Sequence, residues 1–172
     1  VGHRDEAVLD VGLGQALVQA FLRAGANVVA LDLDARVRQL AAGPPQGESD
    51  HTGGSDPRSG GAWGQLLTAV CDVTQLPSCE AAMAQATARF GGIDVLINNA
   101  GIAHRSAFAD TQVDVLRRVM DVNFFGAVHC THAALASLRQ RKGMVIAISS
   151  VAGFSPLIGR TLKKARFRER YG

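Results

Sequence analysis

No apolar run in this 172-residue sequence approaches the roughly 20 residues that a membrane-spanning helix needs, which excludes a helical membrane protein. The first ten residues carry no apolar signal-peptide core, so no secretory leader is expected. The three cysteines, Cys71, Cys79 and Cys130, form no CxxC pair, and neither a disulfide framework nor a structural zinc site is expected from them. Charge is scarce, at 19% of residues against 47% hydrophobic, which excludes a disordered chain and fits a folded one. What is left is one soluble domain with one sizeable core, expected in a reducing compartment and therefore in the cytoplasm.

The formal net charge of +3 is concentrated at one end. Residues 160–172 hold six bases (Arg160, Lys163, Lys164, Arg166, Arg168, Arg170) and one acid, Glu169, while the other residues carry 12 bases and 14 acids. A solvated end accounts for this cluster, and neither a nucleic acid nor a membrane partner is expected.

Apolar strings alternate with helical patterns along most of the chain. Gly14–Ala24 reads as a helix closed by Gly25, and Ala26–Leu31 as a buried strand. A second strand fits Leu66–Val73. A helix from about Pro77 to Phe90 puts Ala82, Met83, Ala86 and Phe90 on one face and ends at Gly91-Gly92. Ile93–Ile97 is the next strand. A long helix from about Thr111 to Arg139 follows, with Leu116, Val119, Met120, Asn123, Phe124, Ala127 and Thr131 at helical spacing. Met144–Ser149 is the last strand. Repeated βα units with near-continuous apolar strands imply an α/β fold with a parallel, doubly wound sheet. The segment 41–62 breaks the pattern: nine of its 22 residues are Gly or Pro, which predicts a mobile surface loop, with Trp63 anchoring the chain where order resumes.

In such a sheet ligands sit at the carboxyl ends of the strands. Gly12-Leu13-Gly14 stands just before the first predicted helix, where absent side chains let a pyrophosphate approach the free N–H groups of a helix N-terminus. Eighteen residues after Gly14, Asp32 closes a predicted strand. A carboxylate there accepts both hydroxyls of an adenosine ribose and repels a 2′-phosphate. Together the two point to an adenosine-containing cofactor.

From here the sequence resembles the classical short-chain dehydrogenase/reductase family, over about residues 12–161 apart from the long loop. Gly12-Leu13-Gly14 resembles the end of the family's glycine motif. Cys71-Asp72-Val73 resembles its adenine-contacting strand end, which implies the Asp72 side chain on the adenine amino group and Val73 against the ring. Asn98-Asn99-Ala100-Gly101 is the family's most recognisable string; the resemblance implies that Asn98 braces the sheet and that the backbone of Asn99, Ala100 and Gly101 faces the cofactor. Asp121-Val122-Asn123 resembles the mid-helix site whose asparagine supports a proton relay. Ile148-Ser149-Ser150-Val151-Ala152-Gly153 resembles the strand end whose second serine, Ser150 here, polarises a substrate carbonyl. The implied fold is a Rossmann-type domain, the implied cofactor NAD in preference to NADP, and the implied substrate a small-molecule alcohol or carbonyl compound.

The chain also departs from the family at both ends. A tyrosine is expected thirteen residues after the serine and a lysine four later, but those positions hold Lys163 and Phe167. Tyr171 comes eight positions too late. At the front, the family's first glycine falls on Val8, and a first strand over His3–Glu6 is too polar for a sheet centre; a shifted strand over Ala7–Val11 is the alternative register. The expectation is a single incomplete NAD(P)-binding domain over residues 1–172, truncated, with a divergent basic tail at 162–172 and no catalytic activity.

Two other readings compete. Val8-Leu9-Asp10-Val11-Gly12-Leu13-Gly14 resembles the glycine motif of S-adenosylmethionine-dependent methyltransferases, though that reading leaves Asn98–Gly101, Asn123 and Ser149-Ser150 unexplained. A non-catalytic, unstable product of splicing, frameshift or gene decay is the third; it would leave Met144–Ser149 as a bare apolar edge and favour self-association there. His129 and His132, three apart with no third ligand at a useful spacing, read as helix surface. His104, just past Gly101, lies where a substrate would pass.

Overall fold

The computed structural model describes residues 11–40 and 63–149. The expected first strand up to Asp10, the 41–62 loop, Ser150 and the basic tail lie outside the described residues.

The first helix, α1, spans Val11–Arg23. It begins earlier than the glycines suggested, so Gly12, Leu13 and Gly14 form its first turn instead of preceding it, and Val11 is helical, not the end of a strand. At its far end Gly25 takes φ 81°, a left-handed conformation that glycine adopts without a Cβ clash, and its N–H donates to the Leu22 carbonyl. The chain then enters β1 (Val28–Asp32) and a short 3-10 turn (Ala35–Gln39). Where description resumes, the half-buried Trp63 receives the Arg23 guanidinium over its ring at 5.8 Å, so a cation–π contact ties this part of the chain to α1.

The second strand, β2, spans Leu66–Val70 and pairs with β1 in parallel, Val28 opposite Leu66 and Asp32 opposite Val70. It stops three residues before the apolar string suggests, because the Asp72 carboxylate accepts from the Thr74 N–H and hydroxyl and turns the backbone out of the ladder. Helix α2 (Leu76–Phe90) starts with Pro77 in its first turn and ends on Gly91 at φ 79°. Strand β3 (Val95–Asn98) pairs in parallel with β4 (Met144–Ala147). Between them a single continuous helical run comprises α3 (Val113–Met120), a wide π turn (Asp121–Phe125) and α4 (Gly126–Arg141).

That π turn corrects one expectation. A 3.6-residue period from Leu116 to Thr131 presumes an unbroken α-helix, and the wide turn shifts the register within it. The face buried beyond it is Gly126, Cys130, Ala134 and Leu138, whereas Leu116, Met120 and Phe124 stay 36%, 50% and 52% exposed.

The core lies between α2, α4 and the strands: Cys71, Cys79, Ala82, Met83, Leu96, Cys130, Ala134 and Leu138 form one buried cluster. Cys79 and Cys130 face each other across the two helices, Sγ to Sγ 3.7 Å. Burial pushes both thiols upward in pKa, so they behave as small apolar groups. The strands described form two parallel pairs, β1–β2 and β3–β4, and not one continuous sheet. A cavity of about 660 Å³ separates them, lined by all of β1, by Val95–Ile97 of β3, by Leu17 and Phe21 of α1, and by Met83 and Phe90 of α2.

Gly126 sets how closely α4 approaches the end of β2, since a Cβ there would lie 2.7 Å from a Val73 γ-methyl. Gly126→Val is therefore expected to cost about 2 kcal/mol by overpacking, a fall in Tm of roughly 4–8 °C by circular dichroism. Adding Val73→Ala should recover part of the loss; an additive double variant would show that the two positions do not touch.

Candidate functional site

Parallel pairing places the carboxyl ends of β1 and β2 side by side, and likewise those of β3 and β4. Helix α4 joins the two groups. Its first residue meets Val73 just past β2, and the Val73 carbonyl accepts from Nδ1 of the half-buried His129 at 2.9 Å. His129 is thus not a free surface residue, as its spacing from His132 suggested; His132 is exposed. Asn98, at the end of β3, donates from Nδ2 to the Thr131 hydroxyl at 3.1 Å, so it braces the strand against α4 and not against a neighbouring strand.

Four of the sequence-predicted positions are in direct proximity. A Cβ built on Gly14 would stand 3.4 Å from the Asn99 amide nitrogen, and one on Gly101 would stand 3.5 Å from Oδ1 of Asn123. The first turn of α1, which carries no acidic residue, thereby meets the side chain of Asn99, at the head of the Asn99–Ala100–Gly101 segment. Asn123, inside the π turn, grips that turn from its other side: Oδ1 accepts from the Ile102 N–H at 2.8 Å, and Nδ2 donates to the Ile102 carbonyl at 2.9 Å. A side-chain amide has the one geometry that matches both backbone groups of a single residue.

The two acids stand at the carboxyl ends of the first strand pair, Asp32 closing β1 and Asp72 just past β2. Asp32 is exposed, and its Oδ1 accepts from the Asp34 N–H at 2.8 Å. Oδ1 of Asp72 is committed to Thr74, and the Asp72 N–H donates to the Ser78 hydroxyl at 3.0 Å. Neither carboxylate's Oδ2 has a hydrogen-bond partner among the described residues. Val73 rests against Gly126 and the core, and remains half-exposed. Gly14, Asp32 and Asn99 all line the cavity between the two strand pairs.

Ser149 follows β4 and is exposed; Ser150 lies outside the described residues. His104 donates from Nε2 to the Thr111 hydroxyl at 3.3 Å, because that hydroxyl gives its own proton to the Ala107 carbonyl. Two features escaped sequence reading. One is Ile102, whose role is entirely a backbone one. The other is the Asp34–Arg36 pair after β1, in which Arg36 Nε lies 2.6 Å from Oδ2 of Asp34. An Asx acid two residues ahead of an arginine was the available signal for the second.

The parallel βα units, the glycine turn at a helix start and the acid at the end of β1 define a Rossmann-type α/β protein. Its kinship is narrower than that. The profile of the short chain dehydrogenase family matches residues 9–162, and the chain belongs to that family. It is 37% identical over 148 residues to a mouse protein named Dehydrogenase/reductase SDR family member 7B, covering 83% of this chain and 41% of that one. Among solved structures, a serine dehydrogenase from Escherichia coli superposes with a TM-score of 0.66 at 27% identity, over 92% of this chain and 68% of that one. A short-chain type dehydrogenase/reductase from Mycobacterium marinum gives 0.69 at 25% identity, over 91% and 60%. The chain thus spans about two fifths of the length of the mouse relative it matches.

Replacing Asn123 with Ala removes both bonds to Ile102. The Ile102 amide should then exchange with solvent at least about tenfold faster, as the loss of roughly 1.4 kcal/mol of local protection implies. Unchanged exchange at that amide would mean the turn holds without Asn123.

Proposed function

We propose that this chain forms the cofactor-binding part of a nicotinamide-dependent oxidoreductase that prefers NAD and belongs with enzymes acting between the alcohol and carbonyl forms of a small molecule. The observation that carries this is that Gly14, Asp32 and Asn99 line one cavity, with Oδ2 of Asp32 left without a partner among the described residues. In this reading Gly12, Leu13 and Gly14 receive the pyrophosphate on the first turn of α1. Asp32 takes the ribose hydroxyls, Asp72 offers its open oxygen to the adenine amino group, and Val73 lies against the ring. The backbone of Asn99, Ala100 and Gly101 faces the rest of the dinucleotide. The residues fit such a group: Gly12 and Gly14 leave the first turn of α1 open to close approach, and among the described residues Oδ2 of Asp32 and Oδ2 of Asp72 have no partner. When bound, the nicotinamide supplies a hydride donor or acceptor.

Asn123 and Ser150 are the two reaction-centre residues in this reading, Asn123 as the brace of the cofactor-facing turn and Ser150 as the hydrogen-bond donor to a substrate oxygen. The residues that follow Ser150 hold no Tyr-x-x-x-Lys, and Lys163 and Phe167 occupy those places. Lys163 cannot perform the tyrosine's task, because an ordinary ammonium lacks a phenol's paired donor and acceptor at one atom. We therefore expect cofactor binding without turnover. The free thiols of Cys71, Cys79 and Cys130 accord with a reducing, cytoplasmic setting. The edge of β4 favours self-association, since Met144, Val145 and Ile148 are 58%, 45% and 41% exposed.

A thermal melt with excess NADH, NADPH or S-adenosylmethionine tests this. NADH at about 100 times its dissociation constant should add roughly 2.7 kcal/mol, about 5–10 °C in Tm. A rise with S-adenosylmethionine alone would replace the oxidoreductase reading by a methyltransferase one. Hydride transfer above background would refute the expected inactivity.

A further inference from the structure

We infer that Asp34 is a second determinant of cofactor choice, acting by holding Arg36 away from the 2′ position of the ribose; this rests on the reading of Asp32 given above. The turn after β1 is built around the Asp34 side chain. Its Oδ1 caps the 3-10 turn by accepting from the Arg36 N–H at 2.8 Å. Its Oδ2 receives the same residue's guanidinium twice, from Nε at 2.6 Å and from Nη2 at 2.5 Å. Arg36 is thereby folded back on its own turn, its Nε donor spent and its charge paired.

The location gives the pair its consequence. Asp34 and Arg36 line the same cavity as Asp32, Gly14 and Asn99, and the Asp34 N–H is itself held by Oδ1 of Asp32. The other arginine lining that cavity, Arg141, is paired with Asp94 through Nε at 2.9 Å and Nη2 at 3.1 Å. A guanidinium beside an adenosine ribose is a receptor for a 2′-phosphate, which it binds through paired N–H donors. With Arg36 paired to Asp34, a 2′-phosphate meets two carboxylates, and both arginines that line the cavity are already paired. Hydrogen bonding to Arg36 holds the Asp34 carboxyl below its ordinary range, so the clamp stays charged wherever the cofactors are stable. Asp32 repels the phosphate; Asp34 withholds the residue that would attract it.

The test is calorimetric titration of NADH and NADPH into the wild-type chain, into Asp34→Ser, and into Asp34→Ser combined with Arg36→Ala. Serine keeps a capping oxygen and removes the carboxylate. Asp34→Asn, which also keeps the cap, takes its place if the serine variant melts early. Freeing Arg36 should tighten NADPH about tenfold, the scale of one charge-assisted hydrogen bond, with NADH changed less than about twofold. Arg36→Ala in the same background should abolish the gain. Unchanged NADPH affinity on freeing Arg36, or a gain that survives Arg36→Ala, overturns the inference while NADH binding by the wild type leaves the cofactor reading standing. A wild type that binds neither nucleotide overturns both.

Discussion

The seating of α4 on the chain just past β2 is the contact through which the two strand pairs share one site. Gly126 admits the Val73 methyl, His129 fastens the Val73 carbonyl, and six residues before His129 the same helical run presents Asn123 to Ile102. The end of β2 and the turn after β3 are therefore positioned by a single rigid element. Parallel pairing does the rest: it requires each connection to cross back over the sheet, so every strand delivers its carboxyl end to the edge its partner uses. Residues as distant in sequence as Gly14 and Asn99 meet for this reason and not through local preference.

The π turn explains why Asn123 can do two things at once. A regular helix would hold the backbone groups of residues 121–125 in 13-atom rings and point position 123 by the 3.6 period. The wide turn breaks that period where the amide must face Ile102, and a second geometry starts at Gly126. Local distortion of this sort is frequent at functional positions, because it frees a side chain's direction from the demands of packing. In this helix the packing demand falls on Cys130, Ala134 and Leu138, and the chemical one on Asn123.

Strands and helices were legible wherever one physical signal dominated. Gly25 and Gly91 marked helix ends because only a left-handed residue closes them cheaply, and both have φ near 80°. The Ala82–Met83–Ala86 face was readable because α2 is a regular helix with one buried side. Boundaries failed where a side chain outbid the apolar pattern: Asp72 ends β2 before Val73, and the first turn of α1 absorbs glycines that look like a loop. The family strings located Asn99, Gly101 and Asn123, but not Ile102, whose contribution is two backbone groups that every residue type shares. Nor did the pattern show what Cys71, Cys79 and Cys130 do. Their absence from any CxxC pair argued against zinc, and the structure adds the positive reason for them: α2 and α4 approach through Cys79, Cys130 and small alanines, and a buried thiol is compact enough for that gap.

Gripping a dinucleotide and donating a proton are separable in this architecture. The proposed grip would depend on helix-start N–H groups, carboxylates at two strand ends, and a backbone turn braced from behind by Asn123. None of these needs a titrating side chain near neutrality. Proton donation needs a phenol whose pKa is lowered by a neighbouring cation, and both belong to chain beyond Ser150. With Lys163 and Phe167 at those places, the proposed reading keeps the first function apart from the second. Binding energy that is realised equally in ground and transition states lowers no barrier. On the proposed reading, the grip alone would bind a nucleotide without lowering a barrier.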